Sequence, residues 1–211
     1  VDRANPNNRR HPLQPFVTMR RPASFPALVV LCLALAAGTA AAAPGTPFEP
    51  SVQVQGTALQ LNGAGTRYKA IFKVYDMGLY TTKKVSTPEE LIALPGPKRL
   101  QFTALRELPG TDLGRLFIKG MSENSPREAV QKHAISSTRL IEVFSGRSKL
   151  MPGDKFAMDF IPGKGTQFYI LGQPQGEPVG DAEFFAMILK IWVGAAPASA
   201  DLKSDLLGIE R

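Results

Sequence analysis

The twenty residues from Leu61 to Tyr80, LNGAGTRYKAIFKVYDMGLY, constrain this chain more than any other segment. They open on Asn62-Gly63-Ala64-Gly65, where two glycines permit the positive φ of a tight turn. From Arg67 to Tyr80 the run is rich in β-branched and aromatic residues and holds one glycine, which predicts a single long strand. Arg67 heads that strand, two residues beyond the glycines. A planar, permanently charged fork at such a place is a candidate anchor for an anionic ligand.

The elements around it suggest their own boundaries. Val52-Gln53-Val54 and Ala58-Leu59-Gln60-Leu61 alternate around Gly56 and predict two short strands. Thr87-Pro88-Glu89-Glu90 is a capping box with proline at the first helical position, opening a short helix to about Leu94. Lys98 to Glu107 predicts a strand with Leu100, Phe102 and Ala104 on one face. Gly110-Thr111-Asp112 opens a helix with Leu113, Leu116, Phe117, Gly120 and Met121 at helical spacing. Ser125-Pro126-Arg127-Glu128 reads as a second capping box, before a helix to Gly146 with Val130, Ala134, Ile141 and Phe144 near one stripe. Asp154–Ile161 and Thr166–Leu171 predict a hairpin around Pro162-Gly163-Lys164-Gly165, with one buried and one wetter face. Asp181 and Ser199 are N-cap residues for two last helices, the first carrying Phe184, Phe185, Ile188, Ile191 and Trp192. Strands, then helices, then a hairpin and more helices imply an α+β fold, with helices layered on one face of a largely antiparallel sheet.

The N-terminal segment has a different character. Arg20 and Arg21 follow Met19, Ala27 to Ala37 is unbroken apolar sequence, and Thr39 to Ala43 supplies small residues for cleavage. These are the three regions of a secretory signal peptide, too short in its apolar run for the roughly 18–20 residues of a bilayer span. Residues 1–42 are therefore expected to be an upstream extension plus a signal from about Met19, with one domain over 43–211 and a periplasmic destination. The leader holds five of the 25 basic residues and one of the 18 acidic ones. That leaves 20 against 17, a net of +3, so the overall +7 does not argue for nucleic-acid binding. No stable membrane span is expected once the leader is removed.

Several chemistries lack their residues. The only cysteine, Cys32, is in the leader, and His133 is the only histidine beyond it. Zinc, haem and transition-metal sites are thus short of ligands, and no metal or cofactor is expected. A Ser-His-Asp triad would need His133, with no Gly-x-Ser-x-Gly elbow beside it. The glycines of Gly163-Lys164-Gly165 lead into a strand and serve a hairpin rather than a phosphate loop.

Gly63-Ala64-Gly65-Thr66-Arg67 and the strand ending Gly78-Leu79-Tyr80 resemble the chalcone isomerase-like family. Pro162-Gly163-Lys164-Gly165-Thr166, and Ile191-Trp192-Val193-Gly194 followed by Asp201-Leu202-Lys203, are similar to its bacterial, exported branch. The resemblance spans roughly Val52 to Gly208 and implies an open-faced β-sandwich. It implies for Arg67 a contact to a substrate oxyanion in the isomerases, or to a carboxylate in the fatty-acid-binding relatives. Aligned on the family motifs, the isomerases' polar positions fall on Tyr75, Leu113, Gly120 and Ile191, so three of four hydroxyl or amide donors are missing. On one straight strand, Arg67 and Tyr75 share a face but stand roughly 26 Å apart.

The first expectation is an exported, non-catalytic binding protein for a small elongated apolar molecule or fatty acid, with a site drawn from Arg67, Tyr75, Leu113, Phe117, Ile188 and Trp192. The alternatives are an intramolecular lyase of chalcone isomerase type and an envelope interaction or structural role without a small ligand. For Arg67 itself, the alternative to an anchor is a strand-edge arginine paired to a nearby acid.

Overall fold

The computed structural model describes residues 46–209; the leader and its cleavage region lie outside the described residues. The first hairpin system is β1 (Ser51–Val54), β2 (Thr57–Lys69) and β3 (Phe72–Thr81), followed by α1 (Pro88–Ala93) and β4 (Lys98–Ala104). A two-stranded ribbon of β5 (Leu108–Pro109) and β6 (Lys149–Leu150) brackets α2 (Gly110–Glu123), α3 (Arg127–Lys132) and α4 (Ala134–Ser145). The chain closes with β7 (Lys155–Ile161), β8 (Gly165–Ile170), β9 (Gln173–Pro174), α5 (Ala182–Val193) and α6 (Ala200–Leu206).

The main sheet has the order β1-β2-β3-β4-β7-β8-β9, and every pairing in it is antiparallel. It is a curled sheet with helices on one face, the open-faced α+β sandwich expected from the order of elements. Met77, Leu79, Leu100, Phe102, Phe156 and Met158 of the sheet join one core with α2, α4, α5 and α6. Val54, Leu59, Tyr80 and Ile161 form a smaller cluster, with Phe48 packed against it. No described helix is long and apolar enough to cross a membrane.

Three of the expected N-caps are in place. The side chains of Thr87, Asp181 and Ser199 accept from the backbone N–H of Glu90, Phe184 and Leu202. The second capping box does not form: Pro126 is the N-cap residue and the buried Ser125 hydroxyl has no partner. The expected single helix to Gly146 breaks at His133, and the buried positions after the break are Leu140 and Phe144, with Ala134 and Ile141 exposed. The wetter face expected of the β7–β8 hairpin also needs correction. Asp159 is buried there because Arg99 of β4 grips it with two hydrogen bonds of 2.6 Å.

The largest correction lies in β2 and β3. Asn62-Gly63-Ala64-Gly65 is not a turn; it lies inside β2, where Asn62 is the extra residue of a bulge between Leu61 and Gly63. The Asn62 amide donates to Val85 O at 3.0 Å and Leu206 O at 2.8 Å, and accepts from Val85 N–H at 2.8 Å. Neither Gly63 nor Gly65 has positive φ. Their missing side chains make room for α6, since a Cβ on either would collide with Asp205, and on Gly63 also with the Leu206 carbonyl. The expected strand from Arg67 to Tyr80 is likewise two strands. The chain reverses at Ala70-Ile71, so that Lys69 faces Phe72 and Arg67 faces Tyr75.

Candidate functional site

Reversal at Ala70-Ile71 removes the expected 26 Å between Arg67 and Tyr75 and makes them cross-strand partners on β2 and β3. Arg67 is half-buried, and among the described residues no carboxylate pairs with it. Its charge acts instead on the Tyr75 phenol. A carboxylate brought to this hairpin would therefore meet a half-buried cation that no carboxylate among the described residues pairs with.

Tyr75 is buried, and its hydroxyl oxygen accepts from Trp192 Nε1 of α5 at 2.8 Å. Indole is a donor only, so this bond leaves the phenol's own proton to be directed elsewhere. Among the described residues no acceptor takes it. Burial raises the Tyr75 pKa, opposed by the Trp192 hydrogen bond and the Arg67 charge. The phenol thus stays protonated near neutral pH, a neutral donor beside a fixed cation.

Aromatic rings extend from this polar pair into the core. Phe102 of β4 meets the Tyr75 ring edge-on at 5.6 Å and stacks on Phe156 of β7 at 4.3 Å. Trp192 lies 5.2 Å from Phe102 and 5.9 Å from Phe117 of α2. Phe144 of α4 joins Phe117 and Phe156 at 4.9 and 5.6 Å. Of the expected lining residues, Phe117 and Trp192 thus come together next to Tyr75. Leu113 and Ile188 lie in the same continuous core, at 4% and 0% exposure. Phe102, Phe144 and Phe156 were missed as neighbours of the pair. Their burial is legible from alternation and helical spacing, but the register that sets Phe102 opposite Phe156 is not.

Two positions that in the isomerases are polar touch each other here. Ile191 of α5 packs over Gly120 of α2, so closely that a Cβ on Gly120 would stand 2.9 Å from Ile191 Cγ2. A glycine and an isoleucine in mutual contact offer neither a hydroxyl nor an amide side chain at that point.

His133 is buried at the break between α3 and α4, with Nε2 3.1 Å from Glu183 Oε2 and 3.6 Å from Asp181 Oδ1. These three side chains place one potential metal-ligand atom each within 4.8 Å of one another. Each already has protein work to do: Asp181 caps α5, and Glu183 accepts from Lys132 at 2.5 Å as well as from the imidazole. The arrangement ties the α3–α4 break to the start of α5.

With this geometry in view, the comparisons with known proteins are informative. The model of the chalcone isomerase-like family matches residues 40–208, and the chain belongs to that family. No curated protein matches it. A crystal structure of a fatty-acid binding protein from Arabidopsis thaliana superposes with a TM-score of 0.61 at 14% identity, covering 76% of this chain and 90% of that one. Likeness at that identity establishes a shared fold.

Proposed function

We propose that this domain binds a small, elongated apolar acid of the fatty-acid type, holding its carboxylate between Arg67 and Tyr75, and that it does so without catalysis. The observation that carries the reading is the pair itself: a half-buried arginine with no acid partner among the described residues, in register with a buried phenol whose oxygen is held by Trp192 and whose proton no described acceptor takes. A guanidinium and a phenol O–H are both donors, which suits a carboxylate with four acceptor positions. The fold relative titled a fatty-acid binding protein supports the same class of ligand. Because Leu113, Phe117, Ile188 and Trp192 are at most 4% exposed, the acyl chain enters by parting side chains of the core next to Tyr75. Absence of catalysis rests on the Gly120–Ile191 contact, which leaves no group there to order a water or hold a phenolate.

Titration with a fluorescent fatty acid tests the anchor. A charge-assisted contact of about 1.5–3 kcal/mol implies that Arg67→Ala weakens binding roughly 10- to 150-fold, with the melting midpoint within a few degrees of wild type. Arg67→Lys should recover only part, since an ammonium keeps the charge and loses the fork. Unchanged affinity in Arg67→Ala would remove this residue from the site. Chalcone cyclisation should stay at the background rate; acceleration abolished by Arg67→Ala would make the protein an intramolecular lyase. The close packing around Trp192 favours a second reading, an interaction or structural role with no small ligand, and saturable acyl binding separates the two.

We further propose export through the N-terminal leader, on the strength of Arg20-Arg21, the Ala27–Ala37 apolar run and the small residues before Pro44. A mature terminus near Ala43 in the periplasmic fraction is the expected result of N-terminal sequencing, and an uncut chain there would end the proposal.

A further inference from the structure

Two-residue hairpin loops ordinarily use Asn-Gly or a similar pair that accepts positive φ and faces water. The β2–β3 loop uses Ala70-Ile71, with Ala70 at φ 52. Ile71 is 84% exposed, and its neighbours Phe72 and Tyr68 are 61% and 41% exposed. Turn propensity does not account for this choice, and neither does packing. The strand registers show what else lies at that end of the sheet. Tyr75 faces Ala104 at the end of β4, Thr103 faces Lys155 at the start of β7, and Phe156 faces Ile170 at the end of β8. The segments just beyond Ala104, before Lys155 and after Ile170 therefore share one end with Ala70-Ile71, across about 19 Å at the usual strand spacing. Met151 and Leu171 stand in two of them, also exposed.

Among the described residues the charge at this end is mostly positive. Lys69, Arg106 and Lys155 are exposed there, and among the described residues no acid pairs with any of them. Of the described carboxylates nearby, Glu107 is paired with Lys149 at 2.8 Å, while Asp154 accepts the neutral Met151 N–H at 2.9 Å and keeps its charge, so the balance of the three cations stays positive. Protruding aliphatic and aromatic side chains beside exposed cations match the layering of a membrane interface, where apolar groups enter the acyl boundary and cations meet phosphates.

We propose that this end of the sheet docks onto an anionic phospholipid surface, with Tyr68, Ile71 and Phe72 entering the interface and Lys69, Arg106 and Lys155 resting on headgroups. A second copy of the chain suits the patch less well, because two-fold pairing sets the same cations against one another. Docking does not depend on the acyl-binding reading, although it would turn the Arg67–Tyr75 hairpin toward the bilayer.

Flotation of the full chain with vesicles of phosphatidylcholine alone, or with 30% phosphatidylglycerol, tests this. Wild type should partition preferentially to the anionic vesicles, and less as salt is raised. Ile71→Ser/Phe72→Ser should reduce partitioning at least about 10-fold, and each of Lys69→Glu and Lys155→Glu about five-fold or more, against no change in Leu116→Ser on α2. The leader is common to all variants, so differences between them report the sheet end. Phe72→Trp gives a second readout: its emission should shift to the blue on anionic vesicles, while that of Leu116→Trp should not. Equal partitioning of wild type and Ile71→Ser/Phe72→Ser, or no shift in Phe72→Trp, overturns the proposal. So does sedimentation showing self-association that Ile71→Ser/Phe72→Ser abolishes without vesicles, which would assign the patch to a second copy.

Discussion

The β7–β8 and β2–β3 hairpins are built from the same physics and advertise themselves in opposite ways. Around Pro162-Gly163-Lys164-Gly165 the glycines do what glycines at a turn are expected to do: Gly163 and Gly165 have φ of 76 and 110, and Lys164 N–H closes the loop on Ile161 O at 3.0 Å. In β2 the equally suggestive Gly63-Ala64-Gly65 runs straight through the sheet, and the reversal comes at Ala70-Ile71, which holds no turn residue at all. Glycine supplies two different things, freedom of φ and absence of volume. One hairpin uses the first, and the other uses the second to admit α6 onto β2. The cost of misreading them is functional, because the position of the reversal decides whether Arg67 and Tyr75 are neighbours.

Substitutions at the glycines should separate the two uses. Gly63→Ala places a methyl group into the backbone of α6 and is expected to cost about 3 kcal/mol or more, well above ordinary overpacking by one methylene. Gly163→Ala meets open space and pays only for a left-handed φ, about 1–2 kcal/mol. Urea melts of both variants decide it, and a Gly63→Ala no worse than Gly163→Ala would mean that the helix does not lie as close as described.

A smaller effect of opposite sign is expected at the other loop. Ala70 holds φ 52, so Ala70→Gly relieves a left-handed strain while loosening the unfolded chain. The balance should stabilise by about 0.5–1 kcal/mol. Destabilisation would mean that the reversal is not at Ala70-Ile71 and would reopen the distance between Arg67 and Tyr75.

A further effect is confined to alkaline pH and to the β4–β7 side of the sheet. Lys98 is buried against the Phe160 ring and donates to Leu94 O at 2.5 Å, and desolvation lowers its pKa to about 8. In the unfolded chain the value returns to about 10.5, so between these limits the unfolded state binds more protons and stability rises with pH. Below about pH 8 both states carry the charge and the slope vanishes. Lys98→Met should flatten the rise between pH 8 and 10.5 in a series of thermal melts; a slope that survives would assign it to another group. On the β2–β3 side burial raises the Tyr75 pKa, so the folded phenol keeps its proton where the unfolded chain begins to lose it, which works against that rise at its upper end.

The alternation of sheet and helix segments, the three working helix caps and the buried faces of β4 and β7 were legible from short-range patterns, because a capping residue or an alternating strand states its own local energetics. Arg67 and Tyr75 were legible as candidates through their place around a recurring family motif, and Trp192 as an apolar residue on a helical stripe. That the three form one constellation was not. Cross-strand register, the 2.8 Å bond from Trp192 to Tyr75 and the close seat of α6 on Gly63 and Gly65 join residues far apart in the chain.

What the sequence determined alone was therefore the class of fold and the inventory of groups: one histidine and no cysteine beyond the leader, an arginine at a glycine-rich strand, and a core rich in phenylalanine. Only the tertiary structure decided where the longest strand system turns. Ala70 has no intrinsic preference for a left-handed conformation, and Lys69-Ala70-Ile71-Phe72 is locally as good a strand as its flanks. The reversal is held there because it lets β2 and β3 pair along their length, with α6 seated over the glycines on one strand and β4 along the other. Those non-local contacts outweigh the local cost of a poor turn, and they bring the arginine and the phenol face to face.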